Sequence, residues 1–89
     1  MPYLKPERRQ EINRDVAGFS VAKTAGELNY LFTLLCTGYL MEKGELNGKI
    51  SYQDLNDIIG ALEGAKAEFY RRVVVPFEDL KIKENGDVY

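Results

Sequence analysis

The densest group of side chains able to do chemistry lies between residues 66 and 72. It combines three cationic groups with an aromatic ring: Lys66, Arg71, Arg72 and Tyr70. Guanidinium groups can hold a phosphate or carboxylate through two parallel hydrogen bonds, and an aromatic ring can stack on a nucleobase. The spacing predicts a site for a small anionic ligand, closed by three further polar residues of the tail: Lys81, Lys83 and Asn85.

A structural interpretation of the same residues stays open beside this one. Phe69 and Val73 would then pack inward, while the cations remain solvated or pair with Glu63 and Glu68. Basic residues also suit the negative end of a helix that stops before Pro76.

Catalytic and metal chemistry are disfavoured by what the chain lacks. It has no histidine, which removes the commonest general base, and its single cysteine, Cys36, allows no internal disulfide. No phosphate-binding loop or nucleophile elbow is present, and the carboxylates are typical of solvated helix charges. We therefore expect no enzymatic activity, no metal and no cofactor, with Cys36 acting as a small apolar residue.

Length and charge narrow the class of protein further. The chain has 89 residues, 45% of them hydrophobic, with 12 basic and 14 acidic side chains and a net charge of −2. Generic nucleic-acid binding is disfavoured without a basic excess. No apolar run approaches the ~20 residues that cross a bilayer, and no signal core is visible, so we expect a cytoplasmic protein without a membrane segment.

The helix that carries the candidate site is predicted over residues 51–75. Ser51 and Asp54 have the spacing of a capping box, and Pro76 should stop or kink the helix. Apolar side chains recur at helical spacing along it: Leu55, Ile58, Ile59, Leu62, Phe69 and Val73.

Two further helices are predicted before it. The first begins at Pro6 and runs over residues 6–23. The second is capped by Thr24 and Glu27, covers residues 25–43 and stops at Gly44. An Asn47-Gly48 turn then leads into the third helix.

The tail, residues 76–89, has two plausible conformations. A helix beyond a kink would have Pro76 in its first turn and Gly86 as its stop. The alternative conformation is a hairpin around Asn85-Gly86, although Glu84 and Asp87 would flank that turn with like charges.

The fold class is therefore all-α: one domain over residues 1–89, with three main helices and a kinked or separate C-terminal helix. A chain of this length builds only a modest core, which favours a dimer or higher oligomer. Gly60 and Gly64 would allow close helix packing, and the apolar second helix offers an interface around Tyr30, Leu34 and Tyr39.

Three stretches resemble a family of small uncharacterised proteins encoded by phages, prophages and bacteria. They are the opening MPYLKPERR, the segment GELNYLFTLL, and the final YQDLNDIIGALEGAKAEFYRRVVVPFEDLKIKENGDVY. The chain departs from the family pattern in a longer loop at residues 44–49 and in Gly64, where a cysteine is common. That departure argues against cysteine chemistry at position 64.

The resemblance implies a protein that acts stoichiometrically, by blocking a host protein or by sequestering a small nucleotide signal of host defence. Our first hypothesis is a homo-oligomer that holds such an anionic ligand between subunits. The alternative is a protein-binding adaptor or inhibitor that uses the apolar surface of the second helix.

Overall fold

The computed structural model describes residues 4–16 and 22–89, and its regular elements are helical throughout those ranges. The third helix is long and bent, and it continues through a π-helical turn into the helical tail without a break. This confirms the all-α class with three main helices. The elements are α1 (Pro6–Val16), α2 (Ala25–Asn47), α3 (Tyr52–Phe69), the π turn (Tyr70–Val74) and α4 (Val75–Asn85).

The chain divides into two compact units, Met1–Gly38 and Tyr39–Tyr89. The first unit holds α1 and the first part of α2. The second holds the end of α2, α3, the π turn and α4. The single domain over residues 1–89 stays a prediction.

The start of α2 explains why the predicted first helix does not reach Lys23. Glu27 N–H donates to Thr24 Oγ1 over 3.1 Å, and the Glu27 carboxylate accepts from Lys23 N–H over 3.3 Å. This cap needs Lys23 and Thr24 outside a helix, as an N-cap and its preceding residue are. Accordingly Ala22 and Lys23 are not helical, and the intervening part of the prediction, residues 17–21, lies outside the described residues.

The predicted stop of α2 at Gly44 is wrong, because the helix continues to Asn47. A Cβ at Gly44 would lie 3.3 Å from Ile50 Cγ1, so this glycine makes room for the side chain that follows the turn. The chain reverses at Gly48 instead, whose φ of 78° is readily adopted only by glycine.

The predicted capping box at the start of α3 is confirmed. Asp54 N–H donates to Ser51 Oγ over 3.2 Å, and Ser51 N–H donates to Asp54 Oδ2 over 3.0 Å. Two backbone donors that the helix leaves without partners are satisfied in this way. Asp54 is 7% exposed.

Pro76 bends the long helix and does not end it, so the predicted boundary at residue 75 is replaced by the π turn. A proline inside an α-helix lacks the N–H that would bond four residues back, and its ring clashes with that carbonyl. Here Val75 N–H bonds to the Tyr70 carbonyl, five residues back, which widens the turn just before the proline. The tail is helical to Asn85, and Gly86, with φ 86°, ends it as predicted for the helical alternative.

No apolar side chain is buried in residues 4–16 and 22–89. Within residues 39–89, the elements that contact one another are consecutive: α3 with the π turn, and the π turn with α4. Large apolar side chains on α2 and the long helix are therefore exposed, including Leu35 at 63% and Phe69 at 61%. No helix in the described ranges combines the length and apolarity needed to cross a membrane.

Candidate functional site

Two guanidinium groups of the predicted site converge on one carboxylate. Arg72 Nε donates to Glu68 Oε2 over 2.8 Å, and Arg71 Nη2 lies 3.0 Å from Oε2 and 3.3 Å from Oε1 of the same carboxylate. The spacings of three and four residues bring these side chains to neighbouring positions on the helix surface. The structure thus places Arg71 and Arg72 together on Glu68. This ion pairing is one that the structural interpretation of the sequence predicts.

The two arginines change the pKa of the Glu68 carboxyl group. The hydrogen bond from Arg72, followed by the hydrogen bond and charge of Arg71, lowers the pKa of Glu68 below its ordinary value of 4.5, although desolvation opposes the shift. Arg71 and Arg72 carry two positive charges and Glu68 carries one negative charge, so the three side chains together have a net charge of about +1. An anionic ligand would have to compete with the Glu68 carboxylate for the two guanidinium groups.

Tyr70 begins the π turn and makes a contact that an uninterrupted α-helix would not allow. Its hydroxyl donates to Glu78 Oε1 over 3.3 Å, eight residues later. Eight residues of α-helix would separate the two side chains by about 80° around the axis, whereas one extra residue in the turn reduces this to about 20°. Tyr70 is 49% exposed, which leaves surface for stacking.

The other predicted ligand residues lie apart from this pair of arginines. Lys66 is exposed one turn before Tyr70 on α3. Lys81 is nine residues beyond Arg72, about 14 Å along the helix. Its Nζ lies 3.4 Å from Glu84 Oε2 and 5.5 Å from the ring centre of Phe77. Lys83 and Asn85 are exposed in the last turn of α4.

The predicted inward packing of Phe69 and Val73 is not found within the chain. Phe69 is 61% exposed and Val73 is 51% exposed. These two side chains therefore belong to an apolar surface on the long helix.

The predicted interface residues are exposed as well. On α2, Tyr30 is 59%, Leu34 is 49% and Tyr39 is 42% exposed, and Lys43 Nζ lies 5.4 Å from the ring centre of Tyr39. Gly60 has open space where a Cβ would stand, and Gly64 is half-buried. Whether either glycine meets a neighbouring helix stays a prediction.

Sequence reasoning missed Glu78 as a partner of Tyr70 and missed the π turn itself. Pro76 is the residue that indicates such a turn, since a proline within a strongly helical pattern requires either an end of the helix or a local rearrangement of its backbone. The proline alone predicts an end or a kink, and the structure has a bend in the form of a π turn. π turns occur frequently at functional sites, and here the turn begins with three of the predicted ligand residues: Tyr70, Arg71 and Arg72.

Comparison with known proteins confirms one part of the resemblance, namely membership of an uncharacterised family. No curated protein and no solved structure matches the chain. One family model, described as Domain of unknown function (DUF6899), matches residues 1–88. The chain therefore belongs to the DUF6899 family of uncharacterised domains.

Proposed function

We propose that this chain is a non-enzymatic binding protein that works as a homo-oligomer and holds a small anionic, nucleotide-like ligand at the π turn. The observation that carries the ligand part is the convergence of Arg71 and Arg72 on the Glu68 carboxylate. A carboxylate held in this way occupies the position that a ligand phosphate would take. Tyr70, which directly precedes the two arginines in sequence and is half-exposed, would stack its ring on the base.

The oligomeric part is supported by the exposed apolar side chains. Fixing a residue in one conformation costs about 1–2 kcal/mol of entropy, and burial of apolar surface is the main term that offsets it. The described residues bury no apolar side chain completely within the chain, and contacts between copies would supply further burial of this kind. Association between copies would also create the concave site that one helix cannot provide.

The setting of this function follows from the resemblance to proteins of phages, prophages and bacteria. A small phage protein that binds a nucleotide signal stoichiometrically would lower the free concentration of that signal in the host cytoplasm. The ligand of this chain would then be a signal of host defence, and its removal would need no turnover.

Native mass spectrometry of protein purified gently from cells tests both parts of the proposal. We expect an oligomer that carries an additional small mass, released on denaturation and absorbing near 260 nm. A monomer at micromolar concentration contradicts the oligomeric part. An oligomer that neither retains such a mass nor binds added cyclic dinucleotides and trinucleotides contradicts the ligand part.

The role of the two arginines is tested by Arg71→Ala combined with Arg72→Ala. We expect the affinity for the retained ligand to fall by at least about a hundredfold, because charge-assisted bonds to phosphate contribute about 1.5–3 kcal/mol each. The matched control is Arg8→Ala with Arg9→Ala on α1, which removes the same charge and breaks a comparable exposed ion pair, Arg8 to Glu11 at 2.8 Å. Equal affinities of the two double variants would contradict the site.

A protein-binding adaptor or inhibitor is the second candidate. It is favoured by the exposed aromatic and aliphatic side chains on α2, since exposed aromatics often anchor protein interfaces. A stable monomer that captures a host protein, and loses it on Tyr30→Ala or Leu34→Ala, would favour this candidate over the first.

A further inference from the structure

The long helix carries an exposed stripe whose members alternate at intervals of four and three residues. Its apolar members are 40–61% exposed. An alternation of four and three is the seven-residue repeat of helices that pack side by side in a coiled coil. The members of this seam stripe are Leu55, Ile59, Leu62, Lys66, Phe69 and Val73.

Lys66 decides the direction in which a second copy of this helix can pack on the stripe. In a parallel pair the two Lys66 side chains would lie in the same layer, and two ammonium groups would repel each other in the least solvated part of the contact. In an antiparallel pair centred on residue 64, each Lys66 lies opposite Leu62 of the second copy. Its aliphatic stem can then cover Leu62 while its charge reaches the surface.

The remaining layers of the antiparallel arrangement are apolar on both sides. Ile59 would lie opposite Phe69 of the second copy, and Leu55 would lie near Val73, which is inside the π turn and therefore not in strict register with the rest of the stripe. Glu63, next to Leu62, would lie beside Lys66 of the second copy, and the two-fold symmetry would provide this pair twice. The stripe is thus complementary to its own reversed copy in both apolarity and charge.

We infer that the seam stripe is the contact of an antiparallel helix pair between two copies of this chain, centred on residue 64. This rests on the homo-oligomeric part of the proposed function and specifies its geometry. The occupant is a second copy because Lys66 would lie beside Glu63 of the same reversed sequence, and because the apolar layers match between Ile59 and Phe69.

Disulfide trapping tests the direction of pairing in the full chain. Ile59→Cys and Phe69→Cys, both within α3, are each made in a Cys36→Ser background, one of them tagged, and mixed through an unfolding and refolding cycle before mild oxidation. The antiparallel pair places the thiol introduced at position 59 of one copy near the thiol introduced at position 69 of the other. The two copies of position 59 are then 10 residues apart, about 15 Å along the helix, which is beyond disulfide reach.

We expect the mixed product to exceed either product of a single variant by at least about tenfold. Predominant self-linking of Ile59→Cys would show parallel pairing and overturn the inference, as would an oligomer that links neither way. A monomeric protein would contradict the oligomeric part of the proposed function itself. Mass measurement before oxidation separates these outcomes.

A charge exchange gives an independent test that does not depend on new cysteines. Lys66→Glu would place two acidic groups together at both symmetry-related positions, and we expect the dissociation constant of the dimer to rise about tenfold. Adding Glu63→Lys should restore the wild-type value. Lys49→Glu, in the loop before α3, is the control for the change of charge. Failure of the second substitution to rescue the first would contradict the pairing.

Discussion

The Tyr70 hydroxyl donates a hydrogen bond to the Glu78 carboxylate across the π turn, with 3.3 Å between Oη and Oε1. The two residues are eight positions apart, and the widened turn before Pro76 is what brings them to nearly the same side of the helix. This contact therefore reports on the backbone geometry of the turn that carries Arg71 and Arg72.

Replacing Pro76 with alanine should convert the π turn to an ordinary α-helix. An interior proline is about 3 kcal/mol less favourable than alanine, and the π turn recovers part of that cost. We expect the free energy of unfolding to rise by about 1–2 kcal/mol, measured in urea at fixed chain concentration. The energetic coupling between Tyr70→Phe and Glu78→Gln should disappear in this background.

Pro6→Ala is the control for that experiment. Pro6 is the first residue of α1, where its missing N–H has no helical partner to lose, so the substitution should change stability by less than about 0.5 kcal/mol. Retention of the Tyr70–Glu78 coupling in Pro76→Ala would show that the proline does not cause the π turn.

The elements that depend on residues close together in sequence could be predicted. The capping boxes at Ser51 and Thr24 and the stop at Gly86 use side chains or backbone within four residues of each helix end. The helical form of the tail is likewise favoured by local signals, namely Pro76 in its first turn and Gly86 after its end.

Two features could not be predicted because they depend on more than one local signal. Glycine commonly follows the end of a helix, but Gly44 lies inside α2. Its missing side chain leaves space there for Ile50, six residues later. Pro76 predicts an end or a kink of the helix, and the helix is bent there, but the proline alone does not show that the backbone forms a π turn. In the candidate site, the spacing of three and four residues predicts the pairing of the arginines with Glu68 as one of two interpretations. The contact of Tyr70 with Glu78 cannot be predicted from spacing, because it depends on the π turn.

Ser51→Ala should remove the side-chain cap of α3. Its Oγ accepts from Asp54 N–H, and loss of such a cap costs about 1 kcal/mol of unfolding free energy. Chemical unfolding followed by circular dichroism measures the loss. Thr33→Ala is a matched control, because Thr33 Oγ1 donates to the Asn29 carbonyl inside α2 and alanine favours the helix interior. A loss as large in Thr33→Ala would exclude a specific effect of the cap.

The pair of arginines should make stability depend on pH through Glu68. Since the pKa of Glu68 is lowered in the folded state, its contribution is fully present above the unfolded pKa of about 4.5 and is lost as the pH falls through the folded value. The difference in unfolding free energy between wild type and Glu68→Gln should therefore shrink on acidification. It should also shrink in 1 M salt.

Glu45→Gln, in the exposed last turn of α2, controls for the removal of a carboxylate. A difference between wild type and Glu68→Gln that grows on acidification would reverse the expected sign and contradict the ion-pair interpretation.

Lys66→Leu should strengthen the proposed helix pair and weaken its directional preference. A lysine in an apolar layer lowers stability and specifies orientation, so leucine removes both effects. We expect a higher midpoint of thermal unfolding at equal chain concentration, together with self-linking of Ile59→Cys that the lysine suppresses. Lys49→Leu controls for added apolarity outside the helix. An unchanged midpoint would indicate that Lys66 lies outside the contact.

The π turn also shifts the phase of the seven-residue repeat. Without it, the alternation that runs from Leu55 to Val73 would continue to Pro76 and Leu80. The extra residue rotates everything beyond the turn by about 100°, so that Phe77 and Lys81 follow Val73 in line. Phe77 is 59% exposed, and the Lys81 ammonium lies 5.5 Å from its ring centre. The repeat thus terminates at a ring beside a cation, which limits how far a second helix can follow it.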